Sequence, residues 1–475
     1  MSVQSRSLFS ERILHIELIY EPIFSTLSPA NLVRISSTCR TAYAVVAAYT
    51  RLTFDINRLL SRFFPSPIRG CSISCCLSHV HEQEYARSRA FRSLQARTGT
   101  LVSGSTALQF FMRTVWPESD LDLYVHMRHR REVAQWLLDE GYQYKPTDFQ
   151  DPRFEVEIAQ CVNRNPNGIY SMPGVMAIVT FIKPLPGAER TRDPVVAEEE
   201  SESEDDGPHE LKVQVIVAKN TPMEVILGFH STCVMNVISY EKAYCLFPQA
   251  TLEERRTLLS SSCRGKGKHR MEGLAKYQMR GFQVLYDLPQ HEILPDPTTP
   301  LLPTFRRGRF SGAASYLYPS QPSMFDLTRA PTSTVQRRTK PAFRLGWRWI
   351  DDSSSWVIPL PLAGVTPPPA ANSATPALTH DPVSVCNWEV RYHPGRGLVM
   401  HFEVATGKIL RYRYLVTDEQ LLAHLAKELS ARVRVEEEKA RLELEEWTYY
   451  DEELPALCRD FLHGLATRRL ASLRI

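Results

Sequence analysis

Two short segments constrain this chain more than any others: Leu101-Val102-Ser103-Gly104-Ser105, and then Asp120-Leu121-Asp122-Leu123-Tyr124-Val125. In an extended strand alternate side chains share a face, so Asp120 and Asp122 project together while Leu121, Leu123 and Val125 enter a core. The pattern predicts a strand from Thr100 to Ser103, a helix from Ser105 to Thr114, and a return strand carrying the two acids. Ala107, Leu108, Phe110, Phe111 and Val115 give that helix an apolar face to lay on a sheet. A further helix is expected over Arg130 to Glu140, closed by Gly141. Two carboxylates on one face can chelate a divalent cation, and a Gly-Ser bend offers backbone N–H groups and a hydroxyl to a phosphate.

The order Gly104-Ser105, helix, Asp120-x-Asp122 resembles the nucleotidyltransferase signature. The resemblance implies a metal-dependent site with Asp120 and Asp122 as catalytic and magnesium-binding groups, and Gly104 and Ser105 on the nucleotide phosphates. It also implies a third acid on a later strand. The best match is Val213-Gln214-Val215, where Gln214 is a neutral amide, so the site reads as degenerate. Phe154-Glu155-Val156-Glu157-Ile158, taken as a strand, offers Glu155 or Glu157 as the third ligand instead, and Glu210 is a weaker choice. A helix after the sheet in such proteins often turns basic and aromatic groups to the nucleotide, which points to Lys276, Tyr277 and Arg280 beyond the run Lys266, Lys268, His269, Arg270. The plain alternatives are two acids facing water at a strand end and a solvated basic helix face.

Residues 8–60 are apolar, poor in glycine and helical in spacing, with Pro22 and Pro29 as punctuation and Ser28-Pro29 as a cap. Leu14-His15-Ile16-Glu17-Leu18, Ile23-Phe24-Ser25-Thr26-Leu27-Ser28-Pro29, Asn31-Leu32-Val33-Arg34-Ile35 and Thr38-Cys39-Arg40 together resemble the F-box, departing from it where a Leu-Pro pair is usual and Leu14-His15 stands. That resemblance implies a three-helix module docking on the Skp-type adaptor of a cullin-RING ubiquitin ligase through Leu14, Ile16, Leu18, Ile23 and Leu32. The alternative is a helical cap on the next domain. With the middle segment, the whole resembles fungal proteins that combine these two parts.

At 475 residues the chain exceeds one ordinary core. No apolar run reaches membrane-spanning length and Met1 to Glu11 lack a signal peptide's apolar block, so an intracellular chain of cytoplasm or nucleus is expected, with no membrane partner. A formal charge of +3 is too small to argue for nucleic acid, and the basic stretch carries no RNA-binding motif. Ten cysteines without a secretory signal read as reduced thiols. Cys71, Cys75, Cys76, His79 and His81 crowd together but fit no standard zinc spacing. His230 and Cys233 are neighbours without a triad pattern.

The expected fold class is α+β: F-box-like helices over 8–60, a nucleotidyltransferase-like domain with a mixed sheet over 87–285, a Pro/Arg-rich linker over 286–340, and strands then charged helices over 341–475. Val175 to Ile182 and Leu211 to Ala218 read as strands around an acidic, solvated insert at 190–210. Pro222 to Leu259 and Lys276 to Leu285 read as helical, Phe343 to Ile350, Asn387 to Tyr392, Leu398 to Val404 and Lys408 to Leu415 as strands, and Asp418 to Trp447 as a helix with a stripe of Leu421, Leu422, Leu425 and Leu429. The leading expectation is a non-catalytic adaptor that brings a client or nucleotide to the ligase, with no certain cofactor. Its rivals are an active magnesium-dependent nucleotidyltransferase, and a structural interaction protein acting through residues 340–475.

Overall fold

The computed structural model describes residues 12–66, 85–161, 163, 172–185, 210–261, 268–289, 292, 341–368, 370, 377–442 and 447–472. The chain is α+β, with a mixed sheet and helices on both of its faces.

Four helices open it: α1 (Glu17–Thr26), α2 (Pro29–Ser36), α3 (Arg40–Thr53) and α4 (Ile56–Leu60). The cap read at Ser28-Pro29 is present, with the Ser28 side chain accepting from the Asn31 N–H and Pro29 at the first helical position, where its missing donor costs nothing. Pro22 lies inside α1 rather than at its boundary. Leu14, Tyr20, Phe24, Leu32, Ala42, Val46 and Tyr49 form a small core between α1, α2 and α3. Phe54, Ile56, Leu60, Phe63 and Phe64 belong to the next core, so the module runs without a break into the α/β body.

That body contains α5 (Ala86–Thr98), β1 (Leu101–Ser103), α6 (Gly104–Met112), β2 (Leu121–His126), α7 (Arg130–Asp139), β3 (Gln143–Lys145), α8 (Phe154–Gln160), β4 (Val175–Pro184), β5 (Glu210–Ala218), α9 (Pro222–Leu227), β6 (Asn236–Ile238), β7 (Lys242–Cys245), β8 (Arg256–Leu258), α10 (Lys268–Met279) and β9 (Gln283–Leu285). The remainder adds β10 (Gly346–Trp349), β11 (Trp356–Pro359), β12 (Asn387–His393), β13 (Gly397–His401), β14 (Glu403–Ala405), β15 (Tyr414–Val416), α11 (Glu419–Leu442) and α12 (Leu454–Ser472). The main sheet has eight strands in the order β11-β7-β6-β1-β2-β5-β4-β3, and its one parallel pairing is β2 with β5. Alternation sorts its side chains. Leu121, Leu123, Val125, Val213, Val215 and Val217 face one core with α4, α5 and α7, while Tyr124, Ile216 and Ala218 face the other with α9 and Tyr277 of α10.

Several sequence expectations are corrected. Residues 154–158 are helical, because Phe154 and Ile158 recur at helical spacing and Glu155 and Glu157 suit a helix's first turn. Residues 222–259 are α-helical only to Leu227, with single helical turns at Thr232–Val234 and Gln249–Glu253; the β-branched, fully buried run around Val237 pairs as β6 between β1 and β7, a short apolar stretch that periodicity alone cannot assign. The helix read over 276–285 ends at Met279, with Gly281 at φ +85° turning the chain into β9. Residues 398–404 divide into β13 and β14, the strand at 408–415 shrinks to β15, and α11 is described through Leu442, with Trp447 outside any helix. The 341–475 region is not set apart: β11 pairs with β7 as an edge strand of the main sheet, and Phe343, Ile350, Trp388 and Leu415 join its core. Leu421, Leu425 and Leu429 of α11 pack with Leu454, Cys458 and Leu462 in that region's own cluster.

The acidic run at 198–206, the linker core at 293–340 and the Cys71 to His81 cluster lie outside the described residues. Among the described residues no helix is long and apolar enough to cross a membrane.

Candidate site at the Asp120 and Asp122 pair

The two motif halves meet as the alternation requires. Asp122 lies opposite Ser103 across the antiparallel β1–β2 pair, and Gln214 lies opposite it across the parallel β2–β5 pair. Gly104 opens α6 at φ +69°, a left-handed conformation that side chains avoid. A Cβ there would stand 2.7 Å from Asp122 Oδ2, so glycine is required both by conformation and by contact. The Asp122 carboxylate therefore lies against the N-terminal turn of α6. The Thr106 hydroxyl donates to the Asp120 carbonyl at 2.7 Å and fixes the start of β2 to that same turn. Ser105 is partly buried, and its carbonyl accepts from Gln109 Nε2 at 3.3 Å.

The charges around the pair differ from those of a metal site. Lys212 stands two residues before Gln214 on the same face of β5, and its Nζ donates to Asp120 Oδ2 at 2.8 Å. Burial, with the nearby charge of Asp120, pushes the Asp122 carboxyl up to about 7, against the pull of Lys212 and Lys276. A hard divalent cation needs several anionic oxygens about 2.0–2.6 Å away. The donor set here is one aspartate already bonded to an ammonium, a second whose charge burial disfavours, and an amide. Among the described residues no group of three or more His, Cys, Asp or Glu converges to hold a metal ion. These residues do not fit magnesium.

The other third-ligand candidates are elsewhere. Glu155 pairs with Arg131 at 2.7 Å. Glu157 is fully buried in α8 and accepts from the Asp151 N–H at 3.0 Å. Glu210 begins β5, opposite Pro184, with Lys145 Nζ 3.3 Å away; four residues of strand put it roughly 13 Å from Gln214.

Of the three groups expected on α10, Lys276 and Tyr277 both interact electrostatically with Asp122. Lys276 is exposed and its positive charge acts on Asp122 and on Glu118. Tyr277 is buried against His230 and Phe282, with ring centroids 5.7 and 6.3 Å away. Arg280 stacks on Trp116, 3.6 Å from the ring centroid, and its Nη2 bonds Glu118 Oε1 at 2.7 Å. Arg280 thus holds the 113–119 connection onto the end of α10.

The five residues expected to contact a partner also divide. Leu14 and Leu32 are 1% and 3% exposed and fill the module's own core, so they are unavailable to a partner; the helix pattern shows that they are apolar but not which face they take. Ile16, Leu18 and Ile23 are exposed. Ile19 is exposed with them and sequence reasoning missed it, although Ile16, Ile19 and Ile23 stand at i, i+3 and i+7 on one helical stripe. Lys212 was missed too. Its signal was present in Lys212-Val213-Gln214, since strand period places the lysine on the amide's face.

The His230–Cys233 segment carries no nucleophile: Cys233 is fully buried and desolvation pushes its thiol up to about 11. Comparisons of the chain with protein-family models, with curated proteins and with solved structures gave no match.

Proposed function

We propose that the chain is a non-catalytic, F-box-like adaptor: α1 to α3 recruit a Skp-type adaptor of a cullin-RING ubiquitin ligase, and the body, nucleotidyltransferase-like in the order of its motifs, presents a client. One observation carries the reading. Ile16, Leu18, Ile19 and Ile23 are 44%, 85%, 41% and 37% exposed on the helix of a module whose core is already closed by other residues. Isolated exposed apolar residues are ordinary, but Ile16, Ile19 and Ile23 share one stripe of the kind an amphipathic helix offers to a partner's groove, and Leu18, the most exposed, stands to one side of it. The Lys212–Asp120 bond and Gln214 support the non-catalytic half.

The test is co-purification of the full chain with a Skp-type adaptor. Capture is expected, and Leu18→Glu with Ile23→Glu is expected to abolish it while the melting temperature stays near wild type. Absence of any association removes the adaptor reading. Pyrophosphate release from nucleoside triphosphates, lost in Asp122→Ala, would replace the non-catalytic half with an enzyme.

A further inference from the structure

The resemblance in the Asp120–Asp122 motif implies a metal, and the residues present do not fit one. We propose that this disagreement has a single cause: Lys212 is a tethered substitute for the cation, its ammonium standing where a metal would bind the aspartate pair. The inference deepens the non-catalytic half of the function proposed above and rests on it.

The argument is geometric. β2 and β5 run parallel with Asp122 opposite Gln214, so the same face carries Asp120 and Asp122 on one strand and Lys212 and Gln214 on the next. Lys212 is thereby delivered to Asp120, and its Nζ sits 2.8 Å from Oδ2. A magnesium ion on that oxygen would need to lie about 2.0–2.1 Å from it, in space the ammonium already occupies. The charge count agrees. Two carboxylates side by side repel, and Lys212 directly, with Lys276 from α10 farther off, supplies the positive charge that a metal would otherwise bring.

A pair this open, with side chains 36% and 32% exposed, would contribute little as an ordinary surface ion pair. Its significance here is its position, beside a second carboxylate that itself lies against the N-terminal turn of α6. Gln214 alone does not explain the same facts, because an amide weakens a metal site without filling it.

Manganese binding to the full chain, followed by the loss of the free-ion electron paramagnetic resonance signal, separates these causes. Wild type is expected to bind no Mn²⁺ at this site. Lys212→Met is expected to bind Mn²⁺ with an affinity at least tenfold above the detection limit that wild type fails to reach, and to lose that binding when Asp122→Asn is added. Gln214→Asp with Lys212 retained is expected to gain nothing, and this variant keeps the question answerable if Lys212→Met fails to fold.

A folded Lys212→Met that binds no better than wild type, or a Gln214→Asp that does bind, overturns this inference and leaves the non-catalytic reading standing. Binding by wild type that disappears in Asp122→Asn overturns both.

Discussion

At the scale of single residues, the half-buried carboxyl of Asp122 sets a measurable pH dependence. Burial first and Asp120 second raise it to about 7, while its unfolded value stays near 3.8, so the folded chain holds this proton more tightly than the unfolded chain does. The stability it contributes is fully present below about pH 4 and is lost as pH rises through 7. Asp381 acts in the same sense: burial raises it to about 6, with Ser239 and Tyr244 donating to it. His126 acts oppositely, since burial lowers it to about 3 and stability is lost as pH falls below 6.5. Asp122→Asn is therefore expected to match wild type near pH 4 and to exceed it above pH 7 by an amount on the order of 1–2 kcal/mol, after discounting for partial exposure. Melting curves from pH 4 to 8 decide this; parallel profiles for the two proteins would refute it. Gly104→Ala is expected to lose about 1–3 kcal/mol, because the added carbon meets both a left-handed backbone and Asp122 Oδ2. Of these residues the aspartates and the glycine were legible from spacing. Strand period puts Lys212 on the face of Gln214, but its pairing with Asp120 depends on the parallel register of β2 and β5, which no local pattern states.

Among the elements, α6 joins the two regions to which function is assigned. Its first residue touches the Asp122 carboxylate, and the residue after its last turn, Arg113, holds the N-terminal module. Arg113 adopts φ +56°, and its guanidinium donates to the Phe24 and Leu27 carbonyls at 3.3 and 2.8 Å and to the Tyr49 hydroxyl at 3.0 Å. The Phe24 carbonyl also accepts from the C-cap Leu27 N–H at 3.2 Å, so the arginine adds a second donor there and ties down the Leu27 carbonyl just past the end of α1. Glu253 provides the matching contact at α2, accepting from the Ala30 N–H at 2.9 Å. Arg113→Gly suits the backbone but deletes the bonds. Hydrogen exchange in α1 is expected to accelerate severalfold while global stability changes by no more than about 1 kcal/mol. Unchanged exchange in α1 would show that the apolar core of the module suffices. Elements with clean alternation or a capped amphipathic stripe, such as β2, β5, α6 and α7, were readable from the chain. Short stretches buried on every side, such as β6, were not, since burial erases the polar half of the pattern.

The whole molecule is held by buried polar ties that span distant parts of the chain. Arg92 is fully buried; its Nη2 and Nε donate to the Tyr240 carbonyl at 2.7 and 3.3 Å, and its Nη1 donates to the Pro361 carbonyl at 2.6 Å and to Asn57 Oδ1 at 3.4 Å. One guanidinium thus links α4, the β6–β7 connection and the segment after β11. Arg92→Leu leaves the buried Tyr240 carbonyl and the partly buried Pro361 carbonyl without these donors, and a loss of about 2–3 kcal/mol is expected by chemical denaturation. A loss below about 1 kcal/mol would mean that water replaces the arginine. Composition did reveal the proline-rich break after residue 288, but it suggested a boundary between separate regions. The sheet shows otherwise, because strand partners far apart in sequence leave no local trace.

The pairing of Trp356–Pro359 with Lys242–Cys245 has a consequence for biosynthesis. At ordinary ribosomal speeds of roughly 5–20 residues per second, about 110 residues must be made after β7 before its outer partner exists, a delay of roughly 6–20 s. Throughout that interval the nascent chain carries an apolar strand rim with bare hydrogen-bonding groups, ready to zip onto a neighbour. Any version cut short in the proline-rich stretch keeps that rim permanently, and chaperone dependence and clumping should mark it.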